Sequence, residues 1–127
     1  MTKPSHSPEV LANRKQLVER DAQLLHFGYD SPAAIAFVLA QALPMEGSIL
    51  EIGTGKGRFL VELAHQVSAL TTVDIAAEEQ QCARLHARYA GVEEKIQFVL
   101  QDAALLPWPD RTFDSVMTAK SILLMFC

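Results

Sequence analysis

The segment Glu51-Ile52-Gly53-Thr54-Gly55-Lys56-Gly57 constrains this chain more than any other. Before it, Ser48-Ile49-Leu50-Glu51-Ile52 reads as a short apolar strand. After it, Phe59, Leu60, Leu63, Ala64 and Val67 recur at helical spacing between Arg58 and Val67. Glycine at every second position lets the backbone bend sharply and approach a ligand with no Cβ in the way. A strand, a glycine bend and a helix, in that order, form the joint at which an open α/β sheet holds its ligand.

The alternation continues downstream. Ala69 to Asp74 reads as a second strand, and Ala76 to Tyr89 as a helix with Cys82, Leu85 and Tyr89 at one-turn spacing. Gly91 suits the end of that helix. Ile96 to Leu100 is a third strand, Phe113 to Thr118 a fourth, and Ser121 is placed to open another helix. Strands alternating with helices imply a parallel sheet joined by right-handed crossovers.

Two helices precede the sheet. Val10, Leu11, Leu17, Val18, Ala22 and Leu25 suit one helical face between Glu9 and Leu25. Gly28 breaks the pattern, and Ser31-Pro32 signals a new helix start. That helix runs to about Leu43 and is apolar on most sides through Ile35, Phe37, Val38 and Leu39, so burial is expected; Pro44 ends it. The expected organisation is a flexible start (residues 1–8), N-terminal helices (9–47) and a sheet domain (48–127).

Composition narrows the function classes. With 127 residues, half of them apolar, the chain makes one domain with a core of its own. A net charge of −4 argues against a nucleic-acid surface. The longest apolar runs, Ala33 to Ala40 and Ile122 to Cys127, fall far short of the ~18 residues of a membrane span. The opening residues lack the pattern of a secretory signal, and two isolated cysteines, Cys82 and Cys127, form no framework. A cytoplasmic location is therefore expected. His6, His26, His65 and His86 are scattered without metal-ligand spacing, and no Gly-x-Ser-x-Gly nucleophile motif occurs.

The glycine bend itself admits several ligands. A phosphate-cradling loop needs Gly-Lys-Ser/Thr, but Lys56 is followed by Gly57 and Arg58. A dinucleotide fingerprint needs Gly-x-Gly-x-x-Gly, and here the third glycine comes one position early. An acid followed by Gly-x-Gly-x-Gly fits from Glu51 to Gly57. Asp74 closes the second strand, 21 positions after Gly53, where a carboxylate suits either a ribose diol or the cap of the next helix. Asp102 follows the third strand and suits a ligand or a plain turn. Lys56 and Arg58 read as solvated charges, and Pro107-Trp108-Pro109-Asp110 as a rigid surface turn.

Ile49-Leu50-Glu51-Ile52-Gly53-Thr54-Gly55-Lys56-Gly57 resembles the first motif of class I S-adenosylmethionine-dependent methyltransferases. Val73-Asp74-Ile75 resembles their second motif. Gln101-Asp102-Ala103, followed by Leu106-Pro107-Trp108-Pro109-Asp110-Arg111-Thr112-Phe113-Asp114-Ser115-Val116, is similar to their third-to-fourth strand region. The last run points to the small-molecule subgroup that includes ubiquinone- and menaquinone-biosynthesis-like enzymes. Thr118-Ala119-Lys120-Ser121 stands where amide and adenine N-methyltransferases carry Asn/Asp-Pro-Pro-Tyr/Phe, which disfavours that branch.

The resemblance implies a Rossmann-like parallel sheet of order 3-2-1-4 and S-adenosylmethionine as cofactor. Glu51, Gly53, Gly55 and Gly57 would surround its methionine part, with Thr54 contributing through its backbone. Asp74 would hold the ribose hydroxyls and Ile75 would pack on the adenine. Asp102 would accept from the adenine amino group, with Ala103 beside it. No catalytic base is assigned. The family fold has seven strands, so the C-terminal strands are expected to be missing and strand four to be an open edge. Truncation, a homodimer over that edge, or a second chain would each account for this. The expected activity is methyl transfer to a small-molecule acceptor. The alternatives are a non-catalytic S-adenosylmethionine-binding module and, more weakly, an NAD-dependent oxidoreductase.

Overall fold

The structure, a computed structural model, describes residues 6–118. Its elements are α1 (Pro8–His26), α2 (Ser31–Ala42), β1 (Ile49–Ile52), α3 (Arg58–Ala64), β2 (Leu70–Asp74), α4 (Ala77–Ala90), β3 (Ile96–Leu100) and β4 (Ser115–Met117). Short 3-10 turns at Glu93–Lys95 and Ala103–Leu105 flank β3. The strands form one parallel sheet in the order β3-β2-β1-β4, as expected. Register pairs Ile52 with Val73 and Asp74 with Leu100, so the ends of β1, β2 and β3 reach one rim.

The core lies between the sheet and α3 and α4. Ile49, Leu60, Val61, Leu63 and Val73 are almost completely buried there. α3 is three residues shorter than its apolar spacing suggests. After Ala64 the Gln66 N–H turns to the Leu63 carbonyl at 2.9 Å, the tight bond of a helix that is closing. Lys95 Nζ donates to the Ala64 carbonyl, satisfying a helix-end acceptor with a cation.

α1 packs on α4 through Val10, Asn13 and Leu17, and Asn13 Nδ2 donates to the Cys82 carbonyl at 3.1 Å. The expected apolar face is therefore split: Leu11, Val18 and Leu25 point outward. Ser7 caps α1 by accepting from Val10 N–H. α2 is capped by Asp30, not Ser31: the Asp30 carboxylate reaches Ala33 N–H at 3.1 Å, and Ser31 is already the first helical residue. The expectation that α2 is buried is not met, since only Leu39 is buried and Phe37 is 67 % exposed. One layer of helix edge cannot cover a segment that is apolar all round.

β4 is joined to β1 partly through Asp114, which accepts from the Ser48 N–H at 2.8 Å and the Ser48 hydroxyl at 3.1 Å. Those bonds, the backbone one first, hold the Asp114 carboxyl below its ordinary value. Gly47 makes room for this contact, since a Cβ there would sit 2.1 Å from Asp114 Oδ2. Trp108 is half-buried and meets Phe113 edge to face at 5.0 Å. The expected helix at Ser121, Lys120, and the apolar end Ile122 to Cys127 lie outside the described residues. Among the described residues, no helix is long and apolar enough to cross a membrane.

Candidate functional site

Three carboxylates stand on consecutive strands at the rim. Glu51 lies in β1, Asp74 ends β2, and Asp102 follows β3. The Gln101 N–H donates to the Asp74 carbonyl at 3.0 Å, which sets Asp102 beside the end of β2. The β1–β2 ladder continues into the glycine bend: Gly53 and Thr54 N–H both point at the Val73 carbonyl, at 2.8 and 3.3 Å. Gly53, Gly55 and Gly57 all have positive φ, so the bend has the left-handed backbone its glycines allow.

Asp74 combines both roles open to it in the sequence. Its Oδ1 accepts Ala76 N–H at 2.9 Å, at the start of α4, and its Oδ2 accepts Gly55 N–H at 2.8 Å. An ionised carboxylate has about four acceptor positions, so room remains for a diol. Asp102 Oδ1 accepts Ala104 N–H at 2.8 Å and so caps the turn that contains Ala103; both residues are exposed. Ile75 is 74 % exposed, an apolar surface placed directly after Asp74.

Thr54 and Gly57 sit differently from their neighbours in the bend. The Thr54 side chain is buried and shares a hydrogen bond with Thr72 Oγ1 at 2.7 Å. Gly57 faces α4, where a Cβ would meet Ala83 Cβ at 2.8 Å and Ala83 Cα at 2.9 Å. Its missing side chain is thus required by helix packing.

A cavity of about 390 Å³ opens in front of the bend. Glu51, Gly53, Thr54 and Lys56 form one wall, and Leu17, Leu24, Tyr29, Ile35 and Val38 of the N-terminal segment form an apolar wall opposite. Arg58, read as a solvated charge, is instead paired with Asp21 of α1. The two nitrogens of its guanidinium meet the two carboxylate oxygens at 2.5 and 2.6 Å. Lys56 is exposed. Asp74, Ile75 and Asp102 lie outside the cavity lining, on the open part of the rim. A second hollow, about 270 Å³, lies where β1, β2 and β3 begin, the end at which such sheets do not hold ligands.

A family model described as a methyltransferase domain matches residues 49–126, more than half of the chain. The chain belongs to the class I S-adenosylmethionine-dependent methyltransferases. S-adenosylmethionine is the cofactor of that family. Norajmaline N-methyltransferase of Rauvolfia serpentina is 38 % identical over 59 % of this chain and 26 % of its own length. Demethylmenaquinone methyltransferase of Roseiflexus castenholzii is 32 % identical over 86 % of this chain and 50 % of its own. The methyltransferase chain thus spans half or less of the length of these curated relatives.

Among solved structures, YcgJ protein from Bacillus subtilis is 28 % identical with a TM-score of 0.60, covering 68 % of this chain and 37 % of that one. An S-adenosylmethionine-dependent methyltransferase from Clostridium acetobutylicum shares the fold at 18 % identity and a TM-score of 0.62, covering 83 % of this chain and 43 % of that one.

The motif residues did not reveal three features of this methyltransferase site. Thr72 pairs in register with Glu51, so aligning the two strands by their rim ends would have found it. Gln80 reaches the bend from α4, 26 positions after Thr54, and the Arg58–Asp21 pair spans 37 positions. Neither leaves a local signal.

Proposed function

We propose that this chain is the cofactor-binding portion of a methyltransferase acting on a small-molecule acceptor. The observation that carries the reading is the set of carboxylates on three consecutive strands around a bend that has no phosphate-binding Lys-Ser/Thr. That donor set fits the adenosyl cofactor. Glu51 suits its ammonium, Asp74 its ribose diol, and Asp102 its adenine amino group, with Ile75 against the adenine face. Gly53 and Gly55 let the backbone approach the methionine part. Thr54 and Gly57 shape the bend from behind.

When bound, the cofactor supplies an electrophilic methyl on a sulfonium. The chain's own task is then to orient that methyl and to keep water away from it. The apolar wall of Leu17, Leu24, Ile35 and Val38 serves the second purpose, and it suits an acceptor with a hydrocarbon or aromatic body. The two curated relatives described above, whose names specify small molecules, support this class.

Calorimetric titration with S-adenosylmethionine, S-adenosylhomocysteine and NAD tests the proposal. Binding of the first two without NAD is expected. Binding of NAD alone would overturn it. Binding of the first two without turnover on any acceptor would leave a binding module in place of an enzyme.

A further inference from the structure

Four polar side chains from four parts of the fold are buried in a line beneath the glycine bend. Glu51, Thr54, Thr72 and Gln80 are each no more than 3 % exposed. Gln80 Nε2 lies 3.5 Å from Thr54 Oγ1, which lies 2.7 Å from Thr72 Oγ1, which lies 2.8 Å from Glu51 Oε1. Gln80 Nε2 also donates to the Val99 carbonyl at 2.9 Å, so the line is anchored on β3.

Counting protons gives the line a direction. A carboxylate only accepts, so Thr72 donates its single hydroxyl proton to Glu51. Thr72 then has no proton for Thr54, and Thr54 must donate to Thr72. The Thr54 oxygen in turn accepts from the Gln80 amide. Each hydroxyl accepts on one side and donates on the other, and each bond polarises the next toward the Glu51 carboxylate.

Packing alone does not require such a line. Valine has the shape of threonine and would fill the place of Thr72 without burying a hydroxyl. Buried polar groups can be replaced by apolar ones of like volume with little loss of stability. Every member of the line leads to a carboxylate that lines the cavity beside Gly53 and Thr54.

We propose that Thr72 and Gln80 are positioning residues for the amino-acid end of the cofactor, acting through Thr54 and Glu51. Thr72 fixes the direction of the Glu51 carboxylate. Gln80 fixes the Thr54 corner of the bend and so holds the acid and the backbone in one arrangement. The inference rests on the cofactor reading proposed above.

The test titrates the full chain with two probes, S-adenosylhomocysteine and 5′-methylthioadenosine. The second shares the adenosine and thioether but lacks the amino-acid end. Thr72→Val is expected to weaken S-adenosylhomocysteine about tenfold, with 5′-methylthioadenosine changed less than about twofold. Thr72→Ser, which keeps the hydroxyl, is expected to stay within about twofold of the unmodified chain for both probes. Unchanged binding of S-adenosylhomocysteine by Thr72→Val, or an equal loss for both probes, would overturn the assignment. Should Thr72→Val fail to fold, Gln80→Met carries the same comparison with the same expected split. The unmodified chain is titrated first. If it binds neither probe, the cofactor reading itself fails and this inference falls with it.

Discussion

Asp74 Oδ2 accepts the Gly55 N–H at 2.8 Å, so the carboxylate that ends β2 clamps the bend that follows β1. The same side chain holds the start of α4 through Ala76. One residue thus sets the bend, the helix and the rim between them.

Replacing Asp74 with Ala removes the clamp together with the acceptor proposed for the ribose. S-adenosylhomocysteine binding is expected to weaken by about 1–3 kcal/mol, because hydrogen bonds to a charged acceptor are lost. Calorimetry reads the affinity, and urea unfolding shows that the variant is folded. Unchanged affinity in a folded variant would leave Asp74 as a clamp only.

Gly57→Ala places a methyl group against Ala83 at a backbone angle of φ +81. A loss of about 1–3 kcal/mol in stability is expected from crowding and backbone strain together. Adding Ala83→Gly relieves the crowding and is expected to recover part of that loss in urea unfolding. No recovery would assign the whole effect to the backbone.

Arg58 and Asp21 join α3 to α1 with side chains about one-quarter exposed. A two-pronged pair in that setting is expected to show a coupling of about 1 kcal/mol in a double-mutant cycle of Arg58→Ala and Asp21→Ala. A coupling near zero would mean that α1 is held by Val10, Asn13 and Leu17 without the pair.

His86 makes stability depend on pH. It is buried on α4, and its Nδ1 has no hydrogen-bond partner among the described residues. Burial first, then the charges of Arg58 and Arg14, lower its pKa from 6.5 to about 4. The unfolded chain therefore binds this proton at a higher pH than the folded chain does. The stabilisation is complete above pH 6.5 and declines as pH falls toward about 4, by at most about 3 kcal/mol. Urea unfolding at about pH 5 and about pH 7.5 is expected to show a smaller difference in His86→Gln than in the unmodified chain. Equal differences would remove His86 from the account.

The sheet order and the glycine bend were legible in the sequence because each strand carries its own apolar run and the bend its own glycines. Asp74 was legible by position, but its bond to Gly55 was not, since that depends on how β1 and β2 align. The cap at Asp30 was misplaced by one residue because Asp30 and Ser31 both suit the job, and only the helix entry decides between them. The exposure of α2 was illegible for a different reason. An apolar segment shows its preference for burial, but not whether a neighbour covers it. Thr72, Gln80 and the Arg58–Asp21 pair depend on contacts across the fold, which hydrophobic spacing does not encode.

The most direct test of the central claim is a map of backbone amide shifts as S-adenosylhomocysteine is added. The account predicts that the changes concentrate at Gly53 to Gly57, Asp74 to Ala76 and Asp102 to Ala104, with Ala69 to Thr71 and Glu94 to Ile96 at the opposite end unmoved. Changes confined to that opposite end, or none at saturating ligand, would contradict it.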